Sequence, residues 1–287
     1  MSEVGVPTAR ITVVICTKDR AASLGVTLEK YSPLWEAPAW SLVLVDDGSR
    51  DDTARLVFTL QRRYCDRVRV VRTAGVGLGA ARNEGWRLAD GEFVLFTDDD
   101  CYPGPNLFGE IRRYFATTNR DFLGGRLLPF SPEDAAVAVV TRETPVTLAG
   151  AQFVPAGLLP GANLSVRRSA LEAVGGFDPE FGAGTPFPAE DVDLVARLLA
   201  AGFTGGYDPG PIVLHHHGRE TTASQRALLQ SYDRGRGAYY AKCLGNPVLR
   251  SHYARAWAER ARRGSWAGTC RELAGAWRYW TRPRPTR

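Results

Sequence analysis

The sequence predicts an α/β protein with a mostly parallel, Rossmann-like sheet, helices on both sheet faces and a helical extension at the C-terminal end. Two patterns carry this prediction. Apolar runs of strand length alternate four times with helical segments up to Phe115, and a long helical pattern begins near residue 222. The chain has 287 residues, of which 44% are hydrophobic, so it is long enough to bury a sizeable core.

The four repeated units each join an apolar run to a segment with helical periodicity. In the first unit, Ala21, Leu24, Leu28 and Tyr31 recur at helical spacing after the apolar run 11–16. The predicted strands are 11–16, 41–45, 68–71 and 92–97, and the predicted helices are 18–31, 52–63, 78–89 and 106–115. Since the carboxyl ends of parallel strands gather ligands, the chemistry is expected just after each strand.

The second half of the chain has weaker periodicity. A Pro- and Gly-rich stretch covers residues 129–161, with a short helix predicted near 135–141, and it suggests long loops over a site. Further along, the patterns predict strands at 163–166 and 212–214 and helices at 169–174, 190–201 and 222–243.

The charge of the chain is unevenly distributed. The net charge is +5, but residues 250–287 contain ten arginines and two glutamates, so the rest of the chain is slightly acidic and binding to nucleic acid is not expected. Within this tail, Trp257, Trp266, Leu273, Trp277 and Trp280 recur at spacings of one helical face. Two interpretations stay open: a helix docked on its own domain, or peripheral contact with a membrane surface.

Targeting and redox signals are few. Neither a leader peptide nor an apolar run of membrane-spanning length is recognised, so we expect a cytoplasmic protein, with the inner face of the membrane as the alternative. The five cysteines form no CxxC pair, which favours reduced thiols over a disulfide or zinc framework.

Two acidic clusters follow predicted strands at the same edge of the sheet. Asp46 and Asp47 end the second strand, and Asp98, Asp99 and Asp100 end the fourth. Five carboxylates near one crevice repel one another unless a cation compensates, and oxygen ligands at a phosphate site suit Mg²⁺ or Mn²⁺. In an extended segment Asp98 and Asp100 share a side, so they are the predicted metal pair; as loop acids, both are expected to be exposed.

Three of the four histidines follow the predicted strand 212–214. Alternation along a strand allows His215 and His217 to face the site together, with His216 on the opposite side. Either residue is a candidate metal or pyrophosphate ligand, and the sequence does not select between them.

A rival interpretation comes from the glycines between Gly75 and Gly79. They follow a predicted strand, open a helix and precede Asp98 by about 20 residues, which is the context of a dinucleotide fingerprint. An NAD-dependent oxidoreductase is therefore one alternative, although the fingerprint normally uses the first strand of a chain. A non-catalytic nucleotide-sugar-binding protein is the other.

Several motifs in order resemble family 2 of the glycosyltransferases, which have the GT-A fold. The resemblance covers roughly residues 11–240. The matching segments are CTKDR (16–20), VDDGS (45–49), GLGAARNEG (77–85), TDDD (97–100), GANLSVRR (161–168), GGFDPEFG (175–182) and the acidic pair Glu190 and Asp191.

The resemblance implies an inverting transferase that moves a sugar from a nucleoside-diphosphate sugar to an acceptor with the help of Mn²⁺ or Mg²⁺. It implies that Asp19 and Asp47 contact the base and ribose, that Asp98 and Asp100 are the D-x-D metal pair, and that Asp191 is the catalytic base, with Glu190 as a second catalytic candidate. The residues expected at the donor are Thr17, Asp19, Arg20, Asp46, Asp47, Arg82 and Asp99.

The same resemblance suggests that different segments of the chain have different functions. Residues 10–128 would form the nucleotide-sugar-binding half and residues 129–221 the acceptor-binding and catalytic half of one GT-A domain. Residues 222–287 would form the C-terminal helical region. The acceptor, whether saccharide, lipid-linked intermediate, peptide or small metabolite, is not encoded in these motifs.

Overall fold

The computed structural model describes residues 9–131, 137–218 and 222–283. Within these residues the strands are β1 (Ile11–Thr17), β2 (Trp40–Asp46), β3 (Val68–Arg72), β4 (Phe93–Asp98), β5 (Cys101–Pro103), β6 (Phe122–Pro129), β7 (Val146–Leu148), β8 (Leu164–Arg167) and β9 (Gly205–His215). The α-helices are α1 (Ala21–Lys30), α2 (Thr53–Arg63), α3 (Leu78–Arg87), α4 (Leu107–Thr118), α5 (Arg168–Val174), α6 (Glu190–Ala200), α7 (Thr222–Gly245), α8 (Arg250–Arg263) and α9 (Trp266–Thr281).

All the strands belong to one mixed sheet with the order β3-β2-β1-β4-β8-β6-β9-β5, and β7 also pairs with β9. The first four strands are parallel, as the repeated units predict. Strand β8 then enters antiparallel between β4 and β6. The predicted α/β class with a mostly parallel sheet and C-terminal helices is confirmed.

Strands β1, β2 and β4 are apolar along most of their length because both sheet faces are covered, whereas the edge strand β3 carries the exposed Arg69 and Arg72. Ile11, Val13 and Ile15 of β1 pack into the core cluster that contains α1, α2 and α4 residues. Val14, between them, points to the opposite cluster with residues of α3 and α6. Burial on both faces holds β1 at the centre and fixes where its carboxyl end, at Thr17, opens into a loop.

The structure corrects the sequence prediction in the middle of the chain. Residues 137–141 contain no helix; Val140 instead forms an isolated bridge with Leu127. Residues 135 and 136 of that predicted helix lie outside the described residues. Strands β5, β6 and β7 were not predicted, and β9 is much longer than residues 212–214. Glycines weaken the local signal in β6, where a side chain on Gly124 would collide with Leu159.

The C-terminal region is not one continuous helix. It breaks after Arg263, so the prediction that Trp257 shares a face with the later tryptophans is wrong. Trp257 is partly buried against Tyr240 in a core cluster formed with α7, while Trp266, Trp277 and Trp280 are exposed. None of the helices in the described ranges combines the length and apolar character needed to cross a bilayer.

A buried carboxylate joins the last three helices. Glu272 of α9 is only 1% exposed and accepts hydrogen bonds from Arg236 Nε (2.6 Å), Arg260 Nε (2.5 Å) and Trp257 Nε1 (3.0 Å). Helices α7 and α9 also touch closely, since a Cβ on Gly237 would lie 1.8 Å from the Glu272 carbonyl oxygen. The C-terminal helices are therefore docked on the domain.

Replacing Glu272 with alanine is expected to lower the free energy of unfolding by about 3 to 5 kcal/mol, because it breaks a buried ion pair and leaves the largely buried guanidinium of Arg236 with only one of its two carboxylate partners, Asp233. Glu259→Ala is the matched control: Glu259 pairs with Arg263 on the exposed face of α8, and such pairs contribute at most about 1 kcal/mol. Urea unfolding measures the change in the free energy of unfolding for both variants. Equal losses in the two variants would contradict the structural role of Glu272.

Candidate active site

The acidic triplet after β4 is held by contacts from the first strand and loop. Thr17 Oγ1 donates to Asp99 Oδ2 (2.6 Å), while Arg20 pairs with Asp99 (3.0 Å) and with Asp100 (2.7 Å). Asp99 and Asp100 are buried, so the expectation of exposed loop acids is wrong for Asp100; the side chain of Asp98 is 36% exposed. Thr17 and Arg20, expected at the donor, contact the acids themselves.

Burial and charge shift the pKa values of two of these acids in opposite directions. Burial raises the pKa of Asp99 to about 6, against the opposing effects of Arg20 and Thr17. For Asp100, burial is outweighed by the hydrogen bond and charge of His215 and by Arg20, which lower the pKa to about 2. The Asp100 carboxyl is therefore ionised at neutral pH, the state in which its oxygens could bind a cation.

The pairing of β5 with β9 brings a histidine to Asp100. Cys101 is opposite His215 in the antiparallel register, and His215 Nε2 lies 3.3 Å from Asp100 Oδ1. His216 points elsewhere, with Nδ1 2.9 Å from the Tyr102 hydroxyl, while the rings of His215 and His217 are 5.0 Å apart. Of the two candidates that the sequence leaves open, His215 is the one next to the acid.

The donor set at Asp100 fits a divalent cation. Ligand atoms of Asp100, Cys101 and His215 lie within 4.8 Å of one another. Nδ1 of His215 lies 3.1 Å from the Ala138 carbonyl oxygen, which can only accept, so Nε2 is directed at the site; a cation bound there would replace the proton that pairs Nε2 with Asp100. Burial raises the pKa of the Cys101 thiol, so it stays neutral and a weak ligand. A carboxylate and an imidazole suit Mn²⁺ better than a thiolate-selective metal.

The second acidic cluster, Asp46 and Asp47, lies at the same edge of the sheet, but its hydrogen bonds go to the segments that follow β2 and β3. Asp46 accepts from the backbone N–H of Ser49 (2.8 Å) and pairs with Arg72 (3.2 Å). Asp47 accepts from the Thr73 hydroxyl and from the backbone N–H groups of Val76 (2.8 Å) and Gly77 (3.1 Å). The two carboxylates therefore hold these loop segments in place, and their hydrogen bonds are made with the loops and not with the acidic triplet.

These contacts exclude the dinucleotide-fingerprint hypothesis. The anion at the amino end of α3 is the Asp47 carboxylate, where a fingerprint would hold a pyrophosphate. Gly79 is in close contact with the Phe181 carbonyl oxygen, 2.4 Å from where its Cβ would be, and a Cβ on Gly77 would collide with Thr185. Gly77 and Gly79 allow the neighbouring loops to pack closely and leave no room for a pyrophosphate at the amino end of α3.

An open cleft of about 600 Å³ lies next to these loops. Its lining includes Lys18, Asp19, Arg50 and Arg72, together with residues 73–75. Asp19 is exposed, adopts φ 52° and accepts from the backbone N–H of Arg50 (2.6 Å), which fixes the loop after β1. Three cations and one carboxylate make the cleft attractive to an anionic ligand such as a nucleotide.

One buried arginine connects the acidic triplet to the acids of α6. Arg82 is 2% exposed; its Nη2 donates to Asp98 (2.9 Å) and its Nη1 to Glu190 (2.9 Å). Nη2 also lies 3.2 Å from the Gly161 carbonyl oxygen, and the guanidinium packs over Phe177. Arg82 therefore bridges two acidic groups, and its contact with the donor stays a prediction.

The two acids at the start of α6 have different partners. Asp191 Oδ2 accepts from the Gly161 N–H (2.9 Å) and its Oδ1 from the Val192 N–H (2.7 Å). Glu190 instead forms an ion pair with Arg82. Burial raises the pKa of both carboxyls, that of Glu190 to about 7, so each is a stronger base than an ordinary carboxylate.

Helix α7 supports the start of α6, which no sequence signal indicated. Lys242 pairs with Asp178 (2.6 Å) and Asp193 (2.5 Å), and Arg197 also contacts Asp193 (2.9 Å). A Cβ on Gly235 would meet the Pro188 carbonyl oxygen at 1.7 Å, so α7 is in direct contact with the segment before α6. These contacts orient the catalytic candidates without touching the site.

Comparison with known proteins agrees with this architecture. The family described as "Glycosyl transferase family 2" matches residues 12–175. A pre-mycofactocin glycosyltransferase of Mycobacterium tuberculosis is 28% identical over 217 residues, which are 72% of this chain; the match covers only 43% of that relative. An N-acetylglucosaminyl-diphospho-decaprenol L-rhamnosyltransferase of the same species is 28% identical over 84% of this chain and 91% of its own length.

Solved structures show the same fold at low sequence identity. A mannosyltransferase from Pyrobaculum calidifontis, in complex with GDP-Man and Mn²⁺, has a TM-score of 0.63 at 18% identity and covers 95% of this chain and 87% of its own. S. aureus TarS 1-349, in complex with UDP-GlcNAc, has a TM-score of 0.65 at 16% identity and covers 94% and 81%.

The mixed, mostly parallel sheet, the acidic triplet at its edge and the similar folds define a GT-A type α/β protein. Within that class, the chain belongs to glycosyl transferase family 2.

Proposed function

We propose that this protein is an inverting glycosyltransferase that transfers a sugar from a nucleoside-diphosphate sugar to an acceptor hydroxyl with the assistance of a divalent cation. The observation that carries the proposal is the Arg82 bridge. A single guanidinium contacts Asp98 of the acidic triplet and Glu190, the neighbour of Asp191. The groups needed for the leaving group and for the acceptor therefore surround one crevice.

The donor is assigned to the cleft and the acidic edge. The basic lining at Lys18, Arg50 and Arg72 suits the nucleotide, and Asp19 is the exposed acid available to a base or ribose. Asp98, Asp100 and His215 would hold Mn²⁺ or Mg²⁺, which supplies positive charge beside the departing diphosphate. The complexes of the structural neighbours with GDP-Man and Mn²⁺ and with UDP-GlcNAc support this donor class.

The acceptor step is assigned to Asp191. The acceptor hydroxyl must lose a proton as it attacks the sugar carbon from the side opposite the diphosphate, and one carboxylate as general base suffices. Asp191 is oriented by two backbone N–H groups, and its raised pKa favours proton uptake. Glu190, held by Arg82, is a positioning residue in this scheme.

The proposal is tested with a panel of nucleoside diphosphates and their sugars in thermal-shift experiments, with Mn²⁺ or with excess chelator. At least one nucleotide sugar is expected to raise the melting temperature in Mn²⁺ and to be slowly hydrolysed to the diphosphate, since stabilisation follows binding to the native state. Binding without any hydrolysis or transfer would favour the non-catalytic alternative. Failure of every donor to bind would overturn the proposal.

A further inference from the structure

The outer face of α9 carries an unpartnered row of large apolar side chains, here called the tryptophan face: Trp266, Leu273, Trp277 and Trp280. Their exposed fractions are 82%, 54%, 69% and 53%. At 100° per residue these positions fall within an arc of about 60°. Single exposed apolar residues are ordinary on protein surfaces, but three tryptophans and a leucine on one face indicate a binding surface.

The tryptophan face cannot turn inward, because the opposite face of α9 is fixed. Gly268, Glu272, Gly275 and Ala276 are buried. A Cβ on Gly275 would lie 2.0 Å from the Arg234 carbonyl oxygen, which shows how closely α9 approaches α7. The helix is therefore anchored through one side and presents the other to solvent as a rigid surface.

The charge of the C-terminal region that carries this face indicates what the face binds. Residues 250–287 contain ten arginines and two glutamates, whereas the rest of the chain has three more acids than bases. Arg255 and Arg262 on α8 and Arg278 on α9 are exposed and form no ion pair with any residue that the structure describes. Two copies of such a basic region repel each other, while an anionic surface attracts it.

We propose that the tryptophan face docks the protein on an anionic lipid bilayer. Tryptophan rings are suited to the boundary between headgroups and acyl chains, and the net positive charge of the C-terminal region attracts anionic headgroups. An amphipathic helix of this kind lies in the plane of the interface. The inference stands on α9 and its surroundings alone, so it does not depend on the proposed reaction.

The test is co-sedimentation of the full chain with vesicles of phosphatidylcholine alone or of equimolar phosphatidylcholine and phosphatidylglycerol. The protein is expected to bind the anionic vesicles, and high salt should weaken this binding. The triple variant W266S/W277S/W280S should bind at least about tenfold more weakly, because it removes the apolar insertion. Phe58→Ser is the matched control: it removes an exposed aromatic ring on α2 and should not change binding.

Folding is monitored by circular dichroism and melting temperature, which the exposed substitutions should leave unchanged. Equal binding by the wild type and the triple variant, salt-insensitive binding or no binding to anionic vesicles would overturn the proposal. A wild-type dimer that the triple variant loses in sedimentation equilibrium would assign the face to a second copy and overturn it as well. Donor hydrolysis, measured separately, distinguishes this failure from failure of the proposed function.

Discussion

Asp191→Asn is expected to lower sugar transfer by about 10² to 10⁴ while the nucleotide sugar still binds, because the substitution removes the general base and leaves the donor cleft intact. Calorimetry measures donor affinity, and release of the nucleoside diphosphate in the presence of acceptor measures turnover. Normal turnover would show that Asp191 is not the base. Loss of donor affinity would instead assign Asp191 a role in donor binding.

The structure adds a control that this experiment needs. Both Asp191 oxygens accept a backbone N–H, from Gly161 and Val192, so the amide group of asparagine must face one of these donors. The mismatch costs about 1 to 3 kcal/mol of local stability, which the melting temperature detects. Glu190→Gln is the matched variant, since it keeps an acceptor for Arg82. Its loss of turnover should be at least about tenfold smaller.

The pH dependence of transfer is a second test of the roles of Asp191 and Glu190. The base works only when deprotonated, so activity falls as the pH drops through a pKa that burial has raised. The midpoint of the acid limb of the pH–activity profile should therefore lie above the usual pKa range of a carboxylic acid. In Glu190→Gln the neighbouring negative charge is gone, and the limb should shift to lower pH. An unchanged limb would contradict coupling between the two acids.

Mn²⁺ is expected to strengthen binding of the nucleoside diphosphate at least about tenfold, because Asp98 and Asp100 otherwise repel the pyrophosphate. The double variant D98N/D100N should lose this dependence on metal. Calorimetry in Mn²⁺ and in excess chelator measures the effect. Equal affinity of the wild type in the two conditions would contradict a metal role for the triplet.

Two controls separate the metal role from structural damage. Asp66→Asn removes the charge of an exposed acid elsewhere and should leave the Mn²⁺ effect unchanged. Because Asp100 is buried against Arg20 and His215, the folding of D98N/D100N must be verified by circular dichroism. His215→Gln should reduce the Mn²⁺ effect more than His217→Gln, as His215 is the histidine next to Asp100. The reverse order would assign the ligand to His217.

The sequence alone determined the four opening strand and helix units and the acidic groups at their ends. These features are local: a strand buried on both faces must be apolar throughout, and a helix must repeat its apolar side every three to four residues. The acids after β2 and β4 could therefore be placed at one sheet edge before any contact was known, as could the C-terminal position of the Trp-rich helices.

Only the tertiary structure decided how distant segments meet. The β5–β9 register placed His215 beside Asp100, Arg82 proved to bridge Asp98 and Glu190, and Asp47 was found to occupy the amino end of α3. The partners are separated by 16 residues for Arg82 and Asp98 and by 30 or more in the other pairs, and no local periodicity encodes such a pairing. The same holds for Trp257, which does not share the predicted face because the helix breaks after Arg263 and Trp257 packs against Tyr240 of α7.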